Sequence, residues 1–153
     1  MTIPVKPYVA VLSALLILSS CRCFLFPPKP YVPPRSQTET ILFKCDRTIN
    51  EGMGLPVDVI YITGDDNLKE VTQIGPDAWF DSKEREDWTF KQTLMLKGGQ
   101  EIILKLSKPP ETQFIVIFAS FYQVKDPKVQ QVILTPNAAE EEVIWVSAHA
   151  LYH

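Results

Sequence analysis

Gln113–Tyr122, with the sequence Gln-Phe-Ile-Val-Ile-Phe-Ala-Ser-Phe-Tyr, is the stretch from which the fold is best predicted. Successive residues of a β-strand point to opposite faces of the sheet, and here both sets of positions are apolar. Burial on both faces is typical of a central strand that other layers cover on each side. The stretch therefore predicts a domain built around one internal strand.

Six further segments have the β-branched, aromatic or alternating composition of strands. They are Thr40–Cys45, Val57–Thr63, Thr89–Lys97, Glu101–Ser107, Val129–Thr135 and Glu142–Ala150. The pair Gly98-Gly99 is suited to a hairpin turn between the third and fourth of these segments. Seven short strands with turn signals at fairly regular intervals predict a mainly β fold, a β-sandwich over residues 40–153.

One segment has helical rather than strand periodicity. Asp65 and Asp66 are suited to cap a short helix that ends at Gly75. Its apolar positions have near-helical spacing: Leu68, Val71 and Ile74. A second helical turn follows, and we expect Trp79 and Phe80 to plug one end of the sandwich. A ligand-binding role for the Trp79 ring is the alternative.

The amino-terminal residues have the features of a bacterial lipoprotein signal. Lys6 precedes about a dozen apolar and small residues, a run too short to cross ~30 Å of hydrocarbon as a helix. Leu18–Cys21 then matches a lipobox, with small serines before the cysteine that receives lipid. We therefore expect residues 1–20 to be a signal peptide and Cys21 to be lipidated, an ordinary secretion signal being the alternative.

Residues 21–39 are predicted to be a tether. Five prolines within Pro27–Pro34 favour extended polyproline II structure, because each fixes φ and removes a backbone donor. Docking of this segment on the domain is the alternative. Arg22, at a position where aspartate would favour retention in the inner membrane, indicates the outer membrane as the destination.

Composition and motifs argue against several functional classes. The net charge is −3 and the chain has no basic patch, so nothing indicates nucleic acid. We found no nucleophile motif, phosphate loop or metal-ligand spacing, and we expect no enzyme activity, metal, cofactor or small-molecule substrate. Export to an oxidising compartment makes a disulfide between Cys23 and Cys45 possible, with two unpaired cysteines as the alternative.

The loop Asp46–Pro56, between the first two predicted strands, is the candidate functional site. It contains two glycines and three apolar residues, in a place that water should reach. Exposed apolar side chains on a loop indicate a protein contact, and methionine adapts well to a partner surface. The alternative is that Ile49, Met53 and Leu55 fold back and cap the core.

The chain resembles the outer-membrane lipoproteins of bacterial type VI secretion systems (TssJ). The resemblance lies in the lipobox, the Gly-bearing loop after the first strand, and four short motifs. These motifs are Leu55–Val59, Ala78–Phe80, Gly98–Glu101 and Phe118–Tyr122. Gly98 stands where the family usually has a proline.

The resemblance implies a transthyretin-like β-sandwich with a short helical insertion. It also implies an outer-membrane anchor, facing the periplasm, that binds the periplasmic C-terminal domain of the large inner-membrane component TssM. The partner-binding residues carried over from the family are Asn50, Glu51, Gly52, Met53, Gly54 and Leu55. Two alternatives remain: a pilotin for a secretin, or a ligand carrier with a pocket lined by Trp79, Trp88 or Trp145.

Overall fold

The computed structural model describes residues 29–124 and 126–153. The predicted signal peptide, Cys21 and Cys23 lie outside these residues, so lipidation and the disulfide to Cys45 stay predictions. No helix in the described ranges has the length and apolar character needed to span a membrane.

The described residues form eight strands and two α-helices. The strands are β1 (Thr40–Cys45), β2 (Leu55–Ile62), β3 (Lys91–Leu96), β4 (Glu101–Lys105), β5 (Phe114–Ala119), β6 (Gln131–Leu134), β7 (Glu141–Val146) and β8 (Leu151–Tyr152). The helices are α1 (Asp65–Trp79) and α2 (Lys83–Asp87), with 3-10 turns at Ile49–Gly52 and Pro127–Val129. All seven predicted strands are present. The predicted last strand ends early, at Val146, because the chain turns there, and β8, which was not predicted, follows the turn.

Two four-stranded sheets pack into a β-sandwich, which confirms the predicted fold class. The first sheet has the order β4-β1-β7-β8 and the second the order β3-β2-β5-β6. Pairing is antiparallel except between β1 and β7, which run parallel. The alternating residues of β1 explain its place, since Ile41 and Phe43 are fully buried between the sheets.

The sequence predicts that the helical insertion closes one end of the sandwich. The insertion instead covers the outer face of the second sheet. A separate apolar cluster joins Val71 and Trp79 of α1 to outward residues of β2 and β5. Those outward residues are Ile60, Ile62, Val116 and Phe118. This third layer explains why β5 is apolar on both faces, as its sequence indicated.

The insertion begins and breaks at glycines. Gly64, not an aspartate, is the N-cap of α1, and Asp65 and Asp66 lie in its first turn without capping hydrogen bonds, contrary to the prediction. Gly75 has φ 72° and ψ 165° and interrupts the helix where the sequence predicted a stop. At α2, the Ser82 hydroxyl accepts a hydrogen bond from the Arg85 backbone N–H at 3.0 Å.

The last residues of the predicted tether pack on the domain. Ser36 and Thr38 are buried, and the Ser36 N–H donates to the Thr112 carbonyl at 2.8 Å. The Lys108 ammonium donates to the carbonyls of Ser36 and Thr38 and lies 3.0 Å from the Glu39 carboxylate. The packed unit therefore begins at Pro33, ahead of the expected boundary at residue 40.

Candidate partner-binding surface

The loop between β1 and β2 closes one end of the sandwich. Ile49 is fully buried and belongs to the core between the sheets. Backbone hydrogen bonds join the loop to neighbouring turns: Asp46 N–H to the Val146 carbonyl at 2.8 Å, and Gly99 N–H to the Asp46 carbonyl at 3.0 Å. The loop is thus fixed to the rest of the domain by core packing and backbone hydrogen bonds.

Asn50 holds the loop together. Its side-chain amide donates to the Gly54 carbonyl at 2.9 Å, and its side-chain oxygen accepts the Tyr122 N–H at 2.5 Å. Its own N–H donates to the Ala148 carbonyl at 3.0 Å. A single side chain and its backbone therefore connect three loops, and Asn50 is itself only 4% exposed.

The tip of the loop has an unusual backbone. Asn50, Glu51 and Gly52 have φ values of 46°, 54° and 82°, three successive residues in the left-handed region. That region is unfavourable for a residue such as glutamate unless surrounding contacts hold it. The contacts of Asn50 supply this support, and they direct Glu51, Gly52 and Met53 into solvent.

Gly98 stands where type VI secretion lipoproteins usually have a proline, and its surroundings explain the glycine. A Cβ atom at this position would lie 2.2 Å from the carbonyl oxygen of Arg47, which no side chain tolerates. The turn after β3 can approach the β1–β2 loop this closely only with glycine at Gly98.

The structure separates the six predicted partner-binding residues into two groups. Glu51, Gly52, Met53 and Gly54 are exposed, with Met53 44% exposed. Asn50 and Leu55 are buried, so their side chains do not form part of the exposed surface. Leu55 is the first residue of β2, whose inward side chains fill the core, so for Leu55 and Ile49 the capping alternative is right and for Met53 it is not.

Exposed residues that the sequence did not single out lie beside this loop. Met95 is 54% exposed and lies against Gly54, and Tyr122 is 50% exposed, its N–H bonded to Asn50. Alternation along the predicted third strand would have placed Met95 outward. We call the set Glu51–Gly54, Met95 and Tyr122 the tip surface.

A groove of about 520 Å³ adjoins the tip surface on the outer face of the second sheet. It is lined by Pro56, Phe80, Arg85, Thr93, Leu94, Met95 and Ser120. The Arg85 guanidinium lies 5.0 Å from the centroid of the Phe80 ring, in the geometry of a cation–π contact. The groove is mainly apolar with one cation, a composition suited to another protein's side chains.

A buried carboxylate fixes the wall of this groove. The Asp58 side chain is fully buried and accepts hydrogen bonds from Trp79 Nε1 at 2.9 Å, Arg85 Nε at 2.7 Å and Thr93 Oγ1 at 2.7 Å. Burial alone would raise the pKa of Asp58, but these hydrogen bonds and the charge of Arg85 outweigh it. The pKa therefore lies below its ordinary value, and the carboxylate is ionised at neutral pH.

Other predicted chemical groups are dispersed. Trp79 is packed in the insertion with Trp88, their ring centroids 6.1 Å apart, whereas Trp145 lies on the other sheet, so these rings line no common pocket.

Burial raises the pKa of the Cys45 thiol, and the neighbouring Asp46 raises it further. Among the described residues, no three His, Cys, Asp or Glu side chains are placed to hold a metal ion.

Solved structures of type VI secretion proteins share this architecture. A chain of a structure described as a type VI membrane complex superposes with a TM-score of 0.62, at 17% identity, over 75% of this chain and 97% of that one. The T6SS lipoprotein TssJ1 from Pseudomonas aeruginosa gives a TM-score of 0.54, at 16% identity, over 78% and 95%. The domain has the fold of the type VI secretion lipoproteins.

A third structure with this fold is described as the T6SS protein TssM C-terminal domain (869-1107) from EAEC. Its matching chain gives a TM-score of 0.60, at 15% identity, over 74% of this chain and 94% of that one. No protein-family model and no curated protein matches the sequence. The resemblance to type VI secretion lipoproteins that the sequence motifs indicated is thus confirmed through the fold.

Proposed function

We propose that the chain is a lipid-anchored outer-membrane component of a type VI secretion membrane complex and binds the periplasmic domain of TssM through the tip surface. The observation that carries the proposal is the supported left-handed turn at residues 50–52, which holds Met53 in solvent. Because the backbone that presents Met53 is already fixed, it loses little conformational entropy on binding, which favours affinity.

The surroundings of Met53 support a protein partner. Met95 and Tyr122 extend the exposed apolar area beside it, and the adjoining groove provides a concave site. Aromatic residues and methionine are enriched in protein interfaces, and pockets beside exposed anchors commonly receive the partner's own anchors. Two solved structures that contain this fold are described as a type VI membrane complex and as a TssM C-terminal domain, which supports TssM as the class of partner.

Truncation of Met53 tests the binding site. We expect Met53→Ala to weaken binding of the TssM periplasmic domain from the same organism by roughly 5- to 30-fold, or about 1 to 2 kcal/mol. Its effect on the unfolding midpoint should be small because the side chain is 44% exposed. Isothermal titration calorimetry and urea denaturation measure the two quantities.

Two control variants make this test specific. Leu55→Ala should lower the free energy of unfolding by about 2 to 3 kcal/mol, because it leaves a cavity in the core. Ile133→Ala, at a position of β6 in the same sheet that is 36% exposed and lies outside the tip surface, should leave the affinity for TssM unchanged. If Met53→Ala and Ile133→Ala bind TssM equally well, the tip surface is not the binding site.

Substitution of Cys21 tests the anchor. Cys21→Ser removes the thiol that the lipobox predicts to be acylated, and several acyl chains together hold a protein stably in a membrane. We expect the wild-type chain in the outer-membrane fraction and the variant as an unprocessed or soluble periplasmic form. Equal amounts of both proteins in the outer membrane would refute lipid anchoring at Cys21.

A further inference from the structure

The outer face of the first sheet presents apolar side chains to solvent. Ile103 is 73% exposed, Tyr152 57%, Trp145 53% and Val143 37%. The helical insertion covers the other sheet, so these residues lie on a different face of the sandwich from the groove. Patches of several exposed apolar residues commonly mark interaction sites on soluble domains.

The strand registers arrange this face as three rows across β4, β1 and β7. One row holds Lys105, Thr40 and Glu141, the next Ile103, Leu42 and Val143, and the third Glu101, Lys44 and Trp145. Tyr152 of β8 extends the third row, opposite Trp145, and the Lys44 ammonium lies 4.8 Å from the centroid of the Trp145 ring. The middle row is entirely apolar, and each outer row carries one lysine and one glutamate.

We propose that a second copy of the chain covers this face, packed sheet against sheet about a two-fold axis. If the axis runs along the strands, Lys105 faces the second copy's Glu141. If it runs across the strands, Lys105 faces the second copy's Glu101. Both arrangements place Lys105 against a glutamate and Leu42 against its own counterpart. An axis along the strands also places Lys44 against the second copy's Lys44, whereas an axis across the strands places Lys44 against Thr40. We therefore expect the axis to run across the strands.

The area of the face can be compared with the areas that known protein interfaces bury. Trp145 and Tyr152, each about half exposed, present roughly 100 Å² apiece, and the whole apolar patch is about 400 Å². With the charged rows, two copies bury roughly 1,200 Å², the lower limit of specific interfaces. Contacts at this end of the size range are commonly transient, so we expect a reversible dimer.

The charges of the face favour a second copy over a lipid surface. Two lysines and two glutamates cancel, whereas a face that binds anionic lipid has an excess of basic residues. A neutral face with paired charges is better matched by an identical face.

Crosslinking of the full chain in cells tests the two-fold contact at its centre. Packed sheets lie about 10 Å apart, too far for a direct disulfide, so Leu42→Cys is treated with a short bismaleimide. We expect a covalent dimer well above that of the wild-type chain, whose own cysteines set the background. Ile133→Cys, on the other sheet, is the matched control, and equal dimer yields from Leu42→Cys and Ile133→Cys would overturn the proposal.

A charge reversal tests the outer rows without disturbing the core, since Lys105 is exposed. In sedimentation equilibrium of the full chain in density-matched detergent, Lys105→Glu should raise the dimer dissociation constant at least 5-fold. Adding Glu141→Lys or Glu101→Lys should restore dimerisation, and the one that does so identifies the axis. A wild-type chain that is monomeric at every concentration would overturn the proposal. So would a tryptophan emission shift on phosphatidylglycerol vesicles that occurs without dimerisation and is lost in Trp145→Phe.

Discussion

Trp79→Ala is expected to lower the free energy of unfolding by about 4 to 5 kcal/mol, at the upper end of the range for large-to-small core substitutions. The ring is fully buried and packs edge-on against Phe118, with centroids 5.8 Å apart, and against Trp88. Its Nε1 also donates a hydrogen bond to Asp58. The substitution thus opens a cavity between the insertion and the sheet and removes one donor from a buried carboxylate.

Urea denaturation followed by far-ultraviolet circular dichroism measures this loss. Trp145→Ala is the matched control, because that ring is 53% exposed and its removal should change stability by no more than about 1 kcal/mol. Trp79→Phe, which keeps an aromatic ring but lacks the N–H donor, should fall between the two. Equal unfolding midpoints for Trp79→Ala and Trp145→Ala would show that the insertion does not depend on this contact.

Asp58→Asn is expected to lower the free energy of unfolding by about 3 kcal/mol at pH 7, as breaking a buried ion pair from one side commonly does. The wild-type carboxylate accepts hydrogen bonds from three side chains, whereas the asparagine amide has only one acceptor oxygen for them. Arg85 also loses its counter-ion. Arg85 is 28% exposed and so regains some hydration, which keeps the loss below the largest values for such pairs.

The same variant predicts a pH dependence with a definite sign. The pKa of Asp58 is lower in the folded than in the unfolded chain, so its stabilising contribution is present above the unfolded value of about 3.9. That contribution is lost as the pH falls through the folded-state pKa. The stability difference between wild type and Asp58→Asn should therefore be constant from about pH 7 to 5 and shrink below about pH 4.

Chemical denaturation across this range measures the difference. Asp81→Asn is a suitable control, because Asp81 is exposed and has no such set of donors. A difference between wild type and Asp58→Asn that stays undiminished down to pH 2 would contradict the role assigned to the Asp58 carboxylate.

Local pattern was sufficient to predict seven of the strands and the burial of the central strand on both faces, but not which element covers its outer face. The two apolar faces of Phe114–Ala119 indicated a strand covered on both sides, and the structure supplies the other sheet on one side and the insertion on the other. Gly75 and Pro76 likewise indicated the break in the helix. In each case the physical cause lies within a few residues of its effect.

The details of the site depend on contacts between distant parts of the chain. Asn50 is buried because Tyr122 and Ala148 reach it from other loops, and no feature of Asp46–Pro56 encodes those partners. Asp58 similarly acquires donors from α1, α2 and β3. The sequence therefore singled out this loop but could not separate the side chains that support it from those that face solvent.

The position of β1 determines how a pulling force travels through the molecule. The amino-terminal segment enters this strand at Thr40, where Lys108 fastens the preceding residues, and the β1–β2 loop leaves it at Cys45. Under the proposed function the lipid anchor and the TssM contact would be separated by this one strand of six residues, about 20 Å long. Tension between them passes along covalent backbone bonds, so the rest of the sandwich can stay folded under a load that would pull its hydrogen-bonded strands apart.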